Sequence, residues 1–381
     1  MRRARLLLSA RDPAGAAQVR AVLPALRASR RFTMRLVASE PALEMLDAAG
    51  ESPVAFALPD GATHVAAEAS AAPLLAAAVR LVRAHEPDAL LVGVSSLGLG
   101  LDEALLAAAG DRPTFALQDY PGDANAIGGA YAGLYFVRDE AAARLTQSRF
   151  GARARPVGSL RHAAYAALDV PALRATTRKR LAVRDGRPVV GFFAQPAAIP
   201  GQSDAFEHLV AAVTEVAPGA LVVLREHPKS PEHAQARLAV LRAAGVEAYD
   251  TSHAEHAEPW LAACDVVTTC FSHTSMDYAF LSAQSESPLG AVVFLLSAPA
   301  TRSFMRAAGL AAPDGVETGL GLCAGSPAEV ARLLRTALGE DARRAYHAAS
   351  RRLPARADID AIVRTVAEAG EARVRRVTAH T

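Results

Sequence analysis

The chain has little of what would assign it to several protein classes. Its three cysteines, Cys264, Cys270 and Cys323, show no paired spacing, which argues against a disulfide framework or a cysteine zinc site. A formal net charge of +2 over 381 residues gives no basic face for nucleic acid from the total. No apolar run reaches the roughly 18–20 residues that span a bilayer without charges. The opening stretch, with Arg2, Arg3 and Arg5 ahead of Leu6-Leu7-Leu8, imitates a signal peptide. Its apolar run is too short for an h-region of about 7–15 residues, and Arg11-Asp12 follows directly. A reduced, cytoplasmic globular protein is the expectation that remains.

The composition is 51% hydrophobic and 21% charged, which favours a packed core over disorder. The length suits two domains of ordinary size. Alanine is abundant and blurs helical periodicity throughout. Short apolar runs nevertheless alternate with helical stretches. Strands are expected at 5–10, 35–38, 54–58, 87–94, 114–120, 134–137 and 154–159. Helices are expected at 13–28, 71–85 and 102–109, with Asp139-Glu140 opening another. Pro13 suits a first-turn position, and Gly15 permits close backbone approach. The loop is neither a GxGxxG nor a Walker sequence. The segment 166–187 reads as a charged connecting helix, after which Pro188-Val189-Val190-Gly191-Phe192-Phe193 begins a second alternation. Strands follow at 220–224, 247–249, 265–269 and 291–296, and the chain from Pro327 onward reads as helical. Such alternation predicts α/β architecture with doubly wound parallel sheets.

The most informative stretch runs from Ala220 to Phe280. Ala220-Leu221-Val222-Val223-Leu224 breaks into Arg225-Glu226-His227-Pro228, which places charged side chains at the carboxyl end of a buried strand. Open α/β sheets hold their ligands at that edge. A second unit follows: Asp265-Val266-Val267-Thr268-Thr269, then Cys270-Phe271, then Ser272-His273-Thr274-Ser275 leading into Met276-Asp277. Ser272 or Thr274 is expected to cap the helix, and the free N–H groups there suit an anion.

These blocks resemble the GT-B glycosyltransferases, more narrowly the bacterial capsule and cell-wall transferases of sialyl-, Kdo- and CDP-glycerol type, and the related UDP-GlcNAc 2-epimerases. Arg225-Glu226-His227-Pro228 matches the family's HP motif, and Ser272-His273-Thr274-Ser275 with Asp277 resembles its serine-rich motif. Val157-Gly158-Ser159-Leu160-Arg161-His162 is similar to the turn that ends the N-terminal half. The family usually places glutamate where Asp277 stands, one methylene longer, and a less polar turn where Leu281–Gly290 lies.

The resemblance implies two Rossmann-like domains facing across a cleft. Residues 1–165 would be the acceptor side, 166–187 the connecting helix, 188–355 the nucleotide-donor domain and 356–381 a C-terminal helix and tail. It implies transfer of a sugar from a CMP-, CDP- or UDP-linked donor to an acceptor hydroxyl on a glycan or lipid-linked acceptor, in envelope or capsular polysaccharide synthesis. It also implies no metal or other cofactor, no nucleic-acid partner, and room for peripheral contact with the inner face of the membrane. Two alternatives stand beside it: a nucleotide-sugar 2-epimerase or hydrolase on the same fold, and a non-catalytic relic serving as an assembly partner.

On the donor side the candidates are Gln195, Arg225, Glu226, His227, Pro228, Ser272, His273, Thr274, Ser275 and Asp277. His227 suits a charge-assisted hydrogen bond to phosphate, or ties down a strand end. Arg225 has the reach for a diphosphate, or pairs with a carboxylate. The hydroxyl turn binds phosphate or merely caps a helix. An inverting transfer needs a base. Asp12 and Asp119, both at strand ends, are the candidates, each equally readable as a cap or turn former. Gly15, Gly158, Ser159 and His162 are expected to line the interdomain cleft. His253 and His256, three apart, read as a solvated helix start in the absence of further ligands at zinc spacing.

Overall fold

The computed structural model describes residues 2–58, 62–94, 98–184, 186–227, 230–307 and 310–379. In chain order the first elements are β1 (Ala4–Ala10), α1 (Pro13–Ala28), β2 (Phe32–Ala38), α2 (Ala42–Ala48), β3 (Val54–Ala55), β4 (His64–Val65) and α3 (Ala72–His85). Next come β5 (Ala89–Val94), β6 (Leu99–Gly100), α4 (Leu101–Ala108), β7 (Thr114–Gln118), β8 (Leu134–Val137), α5 (Glu140–Phe150) and β9 (Ala154–Pro156). After α6 (Val170–Arg180) follow β10 (Val189–Phe193), α7 (Gln202–Val216), β11 (Leu221–Arg225), α8 (Ala234–Ala243), β12 (Glu247–Asp250), α9 (Glu258–Ala263) and β13 (Val266–Thr269). The chain closes with α10 (Thr274–Gln284), β14 (Ala291–Leu295), α11 (Pro299–Ala307), β15 (Leu322–Ala324), α12 (Pro327–Leu338), α13 (Glu340–Ser350) and α14 (Ile359–Thr378).

The chain divides into two compact units. The first holds everything up to Ala163 and again from Arg356 onward; the second runs Ala164–Ala355. The last helix therefore returns to the unit in which the chain began.

In the first unit the main sheet has the order β3-β2-β1-β5-β7-β8-β9, and every pairing in it is parallel. A parallel sheet covered on both faces needs strands that are apolar on both sides. β1 meets that need: Leu6 and Leu8 pack with α1 and α14, whereas Leu7 faces the opposite core with Leu74, Ala78 and Leu105. α14 contributes Ile362, Val366 and Ala367 to the first of these cores, and Arg31 pairs with Glu371 at 2.8 Å to hold its far end.

The second unit repeats the plan with the order β12-β11-β10-β13-β14-β15, again wholly parallel. One core surrounds this sheet, built from Val190, Phe192, Val222, Leu224, Val267, Phe294 and the inner faces of α7, α10 and α12. In both sheets the strand order reverses beside the first strand of the unit, the arrangement of a doubly wound Rossmann-like fold.

Four local expectations are corrected. The strand expected at 54–58 is two residues long, because Phe56 N–H still bonds Ala38 O while Leu58 N–H already turns back to Ala62 O. The connecting helix expected over 166–187 breaks: Asp169 caps α6 through Ala172 N–H, and Ala182 turns the chain at φ 51°. The N-cap of α10 is His273, not Ser272 or Thr274, and no side chain makes the cap hydrogen bond. The segment holding His253 and His256 precedes α9 as a loop, and no group of three metal-ligating side chains occurs among the described residues. No helix among them is long and apolar enough to cross a membrane.

Candidate functional site

All strands of the second sheet run the same way, so the segments after β10, β11, β12 and β13 emerge at one edge. The order reverses between β10 and β13, and Gln195 sits at that point. Its Oε1 accepts the Phe271 N–H at 2.9 Å, joining the segment after β10 to the one after β13. Gln202, in the first turn of α7, brackets the backbone of Gln195: its amide oxygen accepts from Gln195 N–H and its Nε2 donates to Gln195 O. Both glutamines are buried, which is tolerable because these bonds satisfy them.

The segment after β13 makes a tight hydroxyl-rich turn. Ser272 Oγ lies 3.1 Å from Thr274 Oγ1 and accepts Thr274 N–H at 3.3 Å; Ser275 Oγ donates to Ser272 O at 2.9 Å. α10 begins here, so the positive end of its dipole opens at the sheet edge. Asp277 lies in its first turn and is buried, at 5% exposure. Cys270, just before the turn, is inert: burial pushes its thiol up to about 12.

The end of β11 places the charged run differently from a simple phosphate cradle. Arg225 directs Nη1 to Thr251 O at 2.7 Å and Nη2 to Ala254 O at 2.8 Å, fixing the segment between β12 and α9. Burial lowers its pKa and Glu258 opposes the change, and an arginine keeps its charge in a protein. Glu226 is 2% exposed and faces Arg237, whose Nε lies 2.5 Å from Glu226 Oε1. The Arg237 guanidinium stands over Phe192 and Phe206, 5.0 and 4.9 Å from the ring centroids. Burial raises the Glu226 pKa, with Arg237 pulling the other way. Glu226 N–H also bonds Ser252 Oγ at 2.9 Å, so the backbone on the N-terminal side of His227 is fixed. His227 itself is half-buried, and Pro228 lies outside the described residues.

The corresponding edge of the first sheet gathers a different set. Asp12 caps α1, its Oδ1 accepting Gly15 N–H at 2.9 Å. Gly15 lies against Gly93 of β5 so closely that a Cβ on Gly93 would sit 2.9 Å from Gly15 Cα. Asp119 follows β7, half-buried, and accepts from Gln18 Nε2 at 3.2 Å. After β9, Gly158 takes φ +82°, and a Cβ there would meet Arg356 O at 2.6 Å. Ser159 Oγ lies 2.6 Å from His162 Nδ1, with His162 almost fully buried.

Sequence reasoning missed a cluster at this edge: Ser9, Arg11, Asp102 and Glu103, none more than 6% exposed. Arg11 Nη2 lies 3.3 Å from Glu103 Oε1 and 3.1 Å from Gly98 O, and Arg11 Nε is 4.0 Å from Asp102 Oδ2. Ser9 donates to Asp102 Oδ1. Glu103 Oε2 accepts Gly100 N–H at 2.8 Å, closing the N-terminus of α4. Burial first, and then the neighbouring Glu103 charge, hold the Asp102 pKa well above the usual carboxylate range. Nothing local marks it, since Asp-Glu opening a helix is an ordinary surface pattern.

No family model matches the chain, and no curated protein does. Solved structures do match it over nearly its whole length, and with the two Rossmann-like units they define the fold as GT-B. One such structure is the UDP-GlcNAc 2-epimerase of Neisseria meningitidis bound to UDP-GlcNAc, with TM-score 0.63, 12% identity and coverage of 96% of this chain and 99% of that one. Anabaena HepE in complex with UDP and glucose gives TM-score 0.55 at 16% identity over 99% and 100% of the two chains. The spinosyn rhamnosyltransferase SpnG gives 0.57 at 18% identity over 95% and 99%.

Proposed function

We propose that this chain is a glycosyltransferase that moves a sugar from a nucleotide-activated donor to an acceptor hydroxyl. The observation that carries the reading is the Ser272–Ser275 turn opening α10 beside the strand-order reversal, where such sheets take their ligands. The UDP and UDP-GlcNAc held by HepE and the Neisseria epimerase support a nucleotide-linked ligand. The rhamnosyltransferase likeness supports transfer.

In this reading the α10 turn and His227 receive the phosphates, and Asp277 receives the ribose. Backbone N–H groups, hydroxyls and an imidazole stabilise the charge that grows on the leaving group. The acceptor oxygen bonds to the anomeric carbon as the bond from that carbon to the phosphate oxygen breaks. The acceptor proton passes to Asp12 or Asp119. Gln195 joins the segments after β10 and β13, while Arg225 and Glu226 hold the end of β11 through Thr251, Ala254 and Arg237. The donor is CMP-, CDP- or UDP-linked, no metal or other cofactor takes part, and the product enters an envelope polysaccharide.

One observation favours a second reading on the same fold, a nucleotide-sugar 2-epimerase. The Neisseria epimerase gives the higher TM-score, 0.63 against 0.57 for the rhamnosyltransferase. An epimerase turns over the donor with no acceptor present, so product analysis separates the two.

The test is thermal stabilisation by CMP, CDP, UMP, UDP, GDP and dTDP. A ligand at a hundred times its Kd stabilises by about 2.7 kcal/mol. One nucleotide is expected to raise the melting temperature, and His227→Ala is expected to abolish that rise while leaving the unliganded melt within a degree or two. No rise with any of the six nucleotides would overturn the reading.

A further inference from the structure

Phe271 separates β13 from the hydroxyl turn, and its N–H is held by Gln195. Its ring stacks on Phe304 of α11, with centroids 6.3 Å apart and planes 24° apart. α11 leaves β14, the strand next to β13, and so emerges at the same sheet edge. Thr301 Oγ1 donates to Pro200 O at 2.8 Å, which ties α11 to the segment between β10 and α7. The fit is close: a Cβ on Gly201 would lie 2.8 Å from Thr301 Oγ1.

α11 is seated by residues other than Phe304. Thr301 and Met305 are buried, and Arg302 bonds Leu296 O and Gly325 O. Phe271 is half-buried and packs against the core, whereas Phe304 lies outside that packed cluster and is half-buried as well. Single partly exposed apolar side chains need no explanation, whereas a stacked aromatic pair beside a polar turn calls for one.

We propose that Phe271 and Phe304 form a stacking face for a ring of the ligand held at the α10 turn. This rests on the nucleotide-sugar reading above. The ligand offers two rings with a flat face of C–H groups or π density, the pyrimidine base and the pyranose. Either gains by lying on an aromatic side chain while its polar edges meet the hydroxyls of Ser272 and Thr274. The pair thus sets specificity: it favours rings with an uninterrupted apolar face and disfavours those that carry axial polar groups on it.

The experiment titrates UDP, UDP-GlcNAc, CMP and CMP-N-acetylneuraminate into the full chain by calorimetry, for wild type, Phe304→Ala, Phe304→Leu and Phe304→Tyr. Phe304→Ala is expected to bind about tenfold more weakly, equivalent to about 1.4 kcal/mol. Phe304→Leu keeps volume without the π face and should fall between, and Phe304→Tyr should stay within about twofold of wild type. Weakening of the bare nucleotide together with its sugar form assigns the face to the base; weakening of the sugar form alone assigns it to the pyranose. Wild type that binds a ligand while Phe304→Ala and Phe304→Leu both match it within twofold overturns the stacking face and leaves the nucleotide reading standing. Wild type that binds none of the four overturns both. Should Phe304→Ala fail to fold, the Leu and Tyr variants carry the same comparison.

Discussion

Asp265 is expected to be the most damaging single carboxylate to remove from the second unit. It precedes β13 at the edge opposite the α10 turn, and three guanidinium groups converge on it. Arg174 lies at 2.6 Å, Arg178 at 3.0 Å and Arg343 at 3.3 Å, and Asp265 Oδ2 also accepts the buried Val189 N–H at 2.8 Å. Through these contacts α6 and α13 are fastened to β10 and β13. Asp265→Ala leaves three cations facing one another with no counter-charge. Breaking a buried pair costs about 3–5 kcal/mol. The arginines keep carbonyl partners, Ala262 and Cys264 for Arg174, Ala263 and Arg187 for Arg178, and Leu289 for Arg343, and each retains some solvent. That places the electrostatic cost near the low end, about 3 kcal/mol, and the lost Val189 bond adds about 1 kcal/mol. A total of about 4 kcal/mol corresponds to roughly 8–16 °C in melting temperature for a unit of this size. Trp260 is the only tryptophan in the chain, is 4% exposed and lies on α9 in the second unit. Its fluorescence therefore reports unfolding of this unit. Asp265→Asn keeps one acceptor and should cost about half as much. A shift below about 3 °C for Asp265→Ala would refute the reasoning. Under the nucleotide-sugar proposal, affinity at the opposite edge should be unchanged in either variant.

Asp102 predicts a pH signature in the first unit. Its pKa is raised on folding, so the native state holds the proton more tightly than the unfolded chain, and stability falls as pH rises from about 4 towards the folded value. Asp102→Asn removes that slope. The stability difference between the two proteins, followed by circular dichroism in urea, should move in favour of the Asn variant from pH 5 to pH 8, and parallel curves at the two pH values would contradict it. Gly93→Ala should cost about 2–3 kcal/mol, because its Cβ would meet Gly15 Cα at 2.9 Å and Gly15 O at 3.1 Å, and backbone cannot move aside. Gly15→Ala, whose nearest contact is Gly93 O at 3.2 Å, should cost less; equal costs would show that the two backbones do move apart.

Much of the architecture was legible because parallel strands buried on both faces read as short continuous apolar runs. Leu6-Leu7-Leu8, Leu221-Val222-Val223-Leu224 and Val266-Val267 are all of this kind, and each lies in a strand. Helices were harder to read. α7 and α8 carry the polar and alanine-rich faces that blur a 3.6-residue period, and α11, though amphipathic, spans only nine residues, so the sequence located their strands and not the helices between them. The end of the chain was legible as helix, but nothing local to Ile362, Val366 or Ala367 says that they belong with β1, some 350 residues earlier, because their partners are fixed by topology.

The same distinction explains the site. A strand end followed by a turn can be found from sequence, since the apolar run and its polar stop are contiguous, and the Ser272–Ser275 turn and the Arg225–His227 run were found in that way. What each side chain does there depends on what the neighbouring strands deliver. Arg225 reads as a phosphate ligand until β12 brings the carbonyls of Thr251 and Ala254 under its guanidinium. Glu226 reads as a donor-side candidate, and α8 sets Arg237 against it between two phenylalanine rings. In the first unit the argument runs in reverse. Arg11 and Asp102 are unremarkable apart, and become a buried charged cluster only because β1 and β5 are neighbours at the reversal of strand order. A Rossmann-like edge therefore advertises its turns in the sequence and conceals its pairings. Side chains whose polar groups the neighbouring strands have already engaged, Arg225 and Glu226 among them, serve as supports of this edge.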